Sequence, residues 1–163
     1  MIMSNKQKFR PILLCDTREK YPFDFEGDDD FSEIVYTKLE AGDYSIRGIE
    51  NECVIERKKS VNELLLNFIQ NKDRIIHEAE RLKKYKLKVI IVEEPIENIF
   101  NPMKYFLVQA KKTKMSPNAL PRIVISGLVD LLVRFNIHVI FAGSYAKHLT
   151  KKILLDYYKH VAH

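Results

Sequence analysis

Several absences bound this chain before any motif does. Nowhere in its 163 residues does a stretch approach the ~18 consecutive apolar residues that cross a bilayer. The start, Met1 through Lys8, lacks the apolar core of a signal peptide. There are two cysteines, Cys15 and Cys53, each inside an apolar run. They read as buried reduced thiols, not as a secreted disulfide framework. No glycine-rich phosphate loop occurs, so no nucleotide cofactor is expected. His77, His138, His148, His160 and His163 show no zinc-ligand spacing, and no Ser-His-Asp or Cys-His set stands out. Internal repeats and low-complexity linkers are also missing. These absences exclude membrane spans, extracellular disulfide modules and fibres, and leave the expectation of a soluble cytoplasmic protein.

What is present is a folding composition, 46 % apolar and 30 % charged, far from that of disordered chains. Lys and Arg exceed Asp and Glu by 27 to 22, a net charge of +5, which permits nucleic acid as a partner without requiring it. Residues 1–10 are polar and expected to be flexible, and residues 11–163 are expected to form a single domain. Ile12 to Cys15 predicts a short buried strand ending at Asp16, and Ile34 to Leu39 a second. Tyr44–Ile46 and Cys53–Glu56 predict a hairpin. After Lys59 the period changes from two to about 3.6. Val61, Leu64, Leu65, Phe68 and Ile69 then line one helix face, with Ser60 and Glu63 fitting a capping box. A second helix from Asp73 to about Lys86, a strand at Val89–Val92, a helix opening near Ser116 to Pro121, a strand at Ile137–Phe141 and a terminal helix complete the pattern. Strands alternating with helices give an α/β chain, a central mixed sheet flanked by helices.

The residues that suggest chemistry are Asp43 and the run Glu56-Arg57-Lys58. Glu56 and Lys58 lie two apart on a strand and share one face. The hairpin can bring Asp43 beside Glu56. Two carboxylates are enough for a hard cation such as Mg²⁺, which takes oxygen ligands and keeps several waters. A neighbouring ammonium can offset the charge of an attacking hydroxide. Asp-x12-Glu-x-Lys is the spacing logic of the PD-(D/E)XK nucleases. A second cluster, Asp16-Thr17-Arg18-Glu19, follows the first strand, and functional groups gather at strand ends in α/β sheets. Asp16 and Glu19 could enlarge a metal site and Arg18 could hold a phosphate. Equally, the four residues could form a charged turn with a local Asp–Arg pair.

Taken in order, Asp16-Thr17-Arg18-Glu19, Gly42-Asp43-Tyr44 and Glu56-Arg57-Lys58 resemble the nuclease domain of the XPF family of structure-specific DNA endonucleases. The resemblance runs from residue 12 to about 155. It is nearest to compact stand-alone members seen in bacteria and phages, which carry a similar helix over Asp73-Arg74 to Glu80-Arg81-Leu82 and a similar Phe141-Ala142-Gly143-Ser144. It implies a restriction-endonuclease-like core and a metal-dependent enzyme that nicks DNA or cuts it at flaps, forks or junctions, in repair, recombination or conflict between mobile elements. It further implies Asp16, Asp43 and Glu56 as ligands of Mg²⁺, with Mn²⁺ able to substitute. Lys58 would position or activate the water, Glu19 would be a further acidic residue of the site, and Arg18 and Arg57 would support phosphate or carboxylates. Relatives usually have an aspartate four residues past the motif lysine, where this chain has Asn62. Glu63 restores the capping box if Lys59 is a one-residue insertion, which makes Glu63 the helix cap.

Larger relatives append helix-hairpin-helix or helicase domains, for which residues 11–163 have no counterpart. DNA grip is then expected from the core itself, through Lys83 and Lys84 on the second helix or Lys111, Lys112 and Lys114 in the long loop. Ordinary solvated surface charge is the competing account of both sets. Family analogy suggests a homodimer. The alternative to an enzyme is a non-catalytic DNA-binding or scaffolding module of the same fold working with a partner protein.

Overall fold

The computed structural model describes residues 9–70, 72–100, 116 and 118–161. Its sheet has six strands in the order β2-β1-β3-β4-β5-β6. β1 (Ile12–Asp16) is almost wholly buried, as a continuous apolar run should be when both faces are covered. It pairs in parallel with β2 (Glu33–Thr37) and antiparallel with β3 (Tyr44–Ile46). β3 turns into β4 (Cys53–Lys58) through the expected hairpin. β5 (Leu87–Val92) and β6 (His138–Phe141) then add in parallel. The sheet is mixed, as the sequence pattern predicts. β2 and β6 form its edges and are the least buried strands.

Both later parallel pairs need crossovers, and helices supply them. α1 (Val61–Gln70) and α2 (Lys72–Leu82) link β4 to β5, and α3 (Ala119–Phe135) precedes β6. α4 (Ala146–Val161) ends the described chain. Strand alternation divides the interior in two. Val54, Ile90 and Val92 point towards α1, α2 and α3, where Leu64, Leu65, Val124 and Leu131 pack. Cys53, Ile55, Val89 and Ile91 point the other way, against Phe25, Tyr44 and Leu154. Both thiols are free and buried, and burial pushes each up to about 12, which keeps them inert. Lys151 of α4 binds Asp28 at 2.8 Å and Asp30 at 3.2 Å, tying the acidic turn to that helix.

The start of α1 departs in one detail from the expected capping box. The Glu63 N–H donates to Ser60 Oγ at 3.2 Å, but the Glu63 carboxylate accepts from the Lys59 N–H at 3.0 Å, one residue before the cap. Glu94, just past β5, accepts the Val61 N–H at 2.9 Å. α3 ends on Asn136, whose left-handed backbone (φ 52°) closes the helix with N–H bonds from Asn136 and Ile137 to the carbonyls of Leu132 and Leu131. Among the described residues no helix is long and apolar enough to cross a membrane.

Candidate active site

Gly42 sets the site. Its φ is +73°, and a Cβ placed there would lie 2.0 Å from Val54 Cγ2 and 3.0 Å from the Ile55 carbonyl. The chain therefore approaches β4 as only glycine allows. Two backbone bonds follow, Asp43 N–H to the Ile55 carbonyl at 2.8 Å and Asp16 N–H to the Asp43 carbonyl at 2.8 Å. The ends of β1, β3 and β4 are thereby fastened side by side. The N–H of Arg57 then donates to Asp43 Oδ2 at 2.7 Å, which fixes the Asp43 carboxylate at the strand carrying Glu56.

Asp43 pays the electrostatic cost of this placement. Burial first, and then the charge of Glu56, push its pKa up to about 7, although the Arg57 N–H works against the rise. Lys58 reaches back along the same face of β4 and donates to Glu56 Oε1 at 2.8 Å. Its Nζ is also 3.6 Å from Glu63 Oε1. Burial pulls the Lys58 pKa down, but the charges of Glu56, Glu63 and Glu78 outweigh it and hold the lysine above its ordinary value. The carboxylates around it thus hold Lys58 as an ammonium at neutral pH.

Asp16 is held by its own neighbours. Its side chain is 1 % exposed, and both oxygens are taken. Oδ1 accepts from Arg18 N and Nε, each at 2.7 Å, and Oδ2 from Arg18 Nη2 at 2.9 Å and Leu39 N at 2.7 Å. Four donors fill the lone pairs of a carboxylate. Burial would raise its pKa, but the bonds from Arg18 and Leu39 win and hold it low. Of the two readings of Asp16-Thr17-Arg18-Glu19, this geometry is the local Asp–Arg pair. Arg18 is engaged through Nε and Nη2, the latter also donating to the Leu39 carbonyl at 2.8 Å, while its side chain stays 55 % exposed.

Arg57 lies between Glu56 and Lys58 and so points to the opposite face of β4. It stacks over Phe23 at 4.2 Å, pairs with Glu93, and sits 3.7 Å from Glu19 Oε1. The carboxylates it meets there are those of Glu93 and, farther off, Glu19. Glu19 in turn raises the pKa of Asp43 through its charge, so its place is at the margin of the pair.

These groups line a cleft of about 280 Å³ whose far wall is α1 and α2. Glu78, Asn67, Arg74 and Arg81 face it. Glu78 was not singled out in the sequence. Its signal was helical spacing, because residues 74, 78 and 81 fall on one face of α2, and Arg74 Nε bonds Glu78 Oε1 at 3.1 Å. His77 is exposed on another face. Tyr44 is a core residue, fully buried, with its hydroxyl accepting the Phe23 N–H at 2.8 Å.

A divalent cation has a partial fit here. Among the described residues no set of three or more His, Cys, Asp or Glu side chains is arranged to hold a metal, so Asp16, Asp43 and Glu56 do not converge as a trio. Asp43 and Glu56 do. Among the described residues, Asp43 Oδ1 and Glu56 Oε2 receive no hydrogen bond. Two oxygen donors whose charges repel suit a hard cation that keeps most of its waters.

The expected basic surface is largely self-neutralised. Lys83 pairs with Glu80 at 3.3 Å, Lys84 pairs with Glu40, and Lys86 pairs with Glu52 at 3.0 Å. Lys88 belongs to the same run in sequence but is 4 % exposed, donating to the Tyr85 carbonyl at 2.9 Å, so it offers DNA nothing. Lys111, Lys112 and Lys114 lie outside the described residues.

Residues 15–151 match the model of the ERCC4 domain. The solved structure of XPF from Aeropyrum pernix superposes with a TM-score of 0.62 at 20 % identity, covering 89 % of this chain and 63 % of that one. The structure of XPF from Aeropyrum pernix in complex with DNA gives 0.59 at 19 % identity, covering 93 % and 66 %. This chain thus spans less than two thirds of either solved chain, and the likeness is one of fold. No curated protein matches it in sequence. A match over most of the chain, together with the mixed sheet it shares with the archaeal structures, makes this chain a member of the ERCC4 domain family, the family of XPF-type nucleases.

Proposed function

We propose that the chain is a divalent-metal-dependent DNA endonuclease that hydrolyses phosphodiester bonds by nicking or by structure-selective cutting at flaps, forks or junctions. The observation that supports this most is the placement of Asp43, Glu56 and Lys58 on one face of adjoining strand ends, with the Lys58 ammonium 2.8 Å from Glu56. Asp43 and Glu56 would hold Mg²⁺, for which Mn²⁺ could substitute, and the ion would supply Lewis acidity towards the phosphate and lower the pKa of water. Lys58 orients the attacking oxygen by donating to it while Glu56 keeps the ammonium in place. Arg57 N–H holds Asp43 in register with Glu56. Asp16 and Arg18 act as a brace that joins β1 to the loop at Leu39, and Arg57 anchors Glu19 from behind the sheet.

The test is a panel of supercoiled plasmid, linear duplex, flap, fork and four-way junction, each with Mg²⁺, Mn²⁺ or chelator. Cutting should require the metal and should vanish in Glu56→Gln and Lys58→Ala while both variants keep the parental circular dichroism. Full activity in either folded variant would sink the assignment. DNA binding without cutting on every substrate would favour the non-catalytic module instead.

A homodimer is part of the same proposal. Ile125, Val129, Leu132 and Val133 follow helical spacing on α3, yet they are 45, 51, 50 and 74 % exposed. Beside them an apolar groove of about 630 Å³ runs along the edge strand β6, lined by Leu128, Val139, Phe141 and Ile153. An open strand edge next to an apolar helix face is self-complementary about a two-fold axis.

A further inference from the structure

Tyr21 is 67 % exposed although it stands two residues past Glu19, at the border of the candidate site. Its backbone is held from both ends. The Tyr21 N–H donates to Glu19 Oε1 at 2.9 Å, and its carbonyl accepts from Arg57 Nη1. Pro22 follows and restricts the Tyr21 backbone to extended conformations. The ring therefore projects from a fixed point. Lys59, the residue after Lys58, places its ammonium 3.7 Å from the ring centroid. The Lys59 backbone is held too, through its N–H bond to Glu63 at 3.0 Å. The two segments that position Glu19 and Lys58 thus also present an aromatic plate with a cation on it.

We infer that Tyr21 and Lys59 form a platform for one unpaired nucleotide, the base stacking on the tyrosine ring and the ammonium meeting a phosphate. The inference rests on the proposal that the substrate is DNA, and it deepens that proposal by naming which part of a branched substrate is read. Every base has a π face, so stacking of this kind is indifferent to sequence. A base inside a duplex already has both faces covered by its neighbours. The platform consequently favours DNA with an unpaired base next to the scissile phosphate, such as a flap, a fork or an open end. Tyr21 would be a specificity residue without touching the reacting atoms.

The experiment uses the whole chain in chelator, where cutting is not in play. The probe is a duplex with a short unpaired arm carrying 2-aminopurine at successive arm positions, with the same duplex without the arm as control. The parent and Tyr21→Phe should quench the fluorescence of one arm position. Tyr21→Ala should lose that quenching and bind the armed DNA roughly tenfold more weakly, with blunt-duplex binding unchanged and its thermal melt parental. Failure of the parent to quench at any position, or equal affinity of Tyr21→Ala and parent for the armed DNA, overturns the platform. Cutting of the same armed DNA in Mg²⁺ is scored separately. Quenching without cutting would sink the catalytic proposal and leave the platform standing.

Discussion

The backbone N–H of Arg57 donates to Asp43 Oδ2 at 2.7 Å. This bond brings two like charges together, since Asp43 is fastened to the strand from which Glu56 projects. It is possible only because Gly42 lets the preceding backbone lie against Val54 and Ile55. A glycine, the aspartate next to it and a glutamate on β4 thus serve one geometry.

Gly42→Ala should therefore be costly. The left-handed backbone costs a non-glycine residue ~1–2 kcal/mol, and overpacking against Val54 adds ~1–3 kcal/mol. Urea unfolding should show a loss of about 3 kcal/mol. Gly48→Ala is the control. Its φ is +95°, but a Cβ there would meet nothing within 4 Å, so only the backbone cost of ~1–2 kcal/mol applies. Equal losses in the two variants would contradict the packing argument.

The two aspartates should respond in opposite directions. Asp16 is buried and accepts four hydrogen bonds. Asp16→Ala strands the Leu39 N–H and should lower stability by about 2 kcal/mol. Asp43→Asn keeps an oxygen for the Arg57 N–H and removes a charge that repels Glu56, so it should raise stability in chelator while abolishing cutting. Thermal melts of the two variants decide this, and a destabilised Asp43→Asn would refute the account of the pair.

Much of this was legible in the sequence, for identifiable reasons. β1, β4 and β5 are short apolar runs with strand-ending charges, so their existence and the mixed sheet followed from pattern. The Asp43–Glu56 meeting followed from a hairpin, a local structure. The occupancy of Asp16 is also local, yet whether an aspartate two residues before an arginine ligates or pairs depends on the Leu39 backbone, 23 residues away. Glu93 supports Arg57 through tertiary packing, which no local period encodes; the helical face carrying Glu78 was readable from spacing, but that this face meets the end of β4 depends on packing. Arg57 was readable in principle, because a residue between two site residues on a strand must face away from them. Lys88 reads as part of a basic surface until β5 is placed in the sheet, where burial turns it inward.

pH gives a signed test of the carboxylate pair. In the folded chain Asp43 has a pKa of about 7 against an ordinary 3.8. Between those values the folded state keeps a proton that the unfolded chain has lost. Stability should therefore fall as pH rises through this window, by on the order of 4 kcal/mol in total, and level off above it. In chelator the parent should melt at progressively lower temperature from pH 4.5 to 7.5, beyond the slope of Asp43→Asn. Adding Mg²⁺ at pH 7.5 should raise the parental melting temperature and leave Asp43→Asn nearly unmoved. A parental profile parallel to that of Asp43→Asn would contradict the shift, and a parental melting temperature unmoved by Mg²⁺ would contradict the cation site.

The apolar face of α3 offers a test independent of the chemistry. Leu132 and Val133 are half or more exposed, so replacing them with charged residues removes no core contact and should change monomer stability by no more than ~0.5 kcal/mol. If that face joins two copies, an aspartate at Leu132 places a charge in an apolar interface and repeats it across the two-fold axis. Dissociation should weaken pairing at least a hundredfold, since each buried unpaired charge costs several kcal/mol. Light scattering should then show the parent at twice the chain mass and Leu132→Asp at the chain mass, with equal melting temperatures at high dilution. The site residues Asp43, Glu56 and Lys58 all come from one chain, so a monomeric Leu132→Asp that still nicks plasmid would assign pairing to DNA grip, not to assembly of the active site. A parent that is monomeric at all concentrations would remove the second copy from the proposal and leave this face without a partner of its own kind.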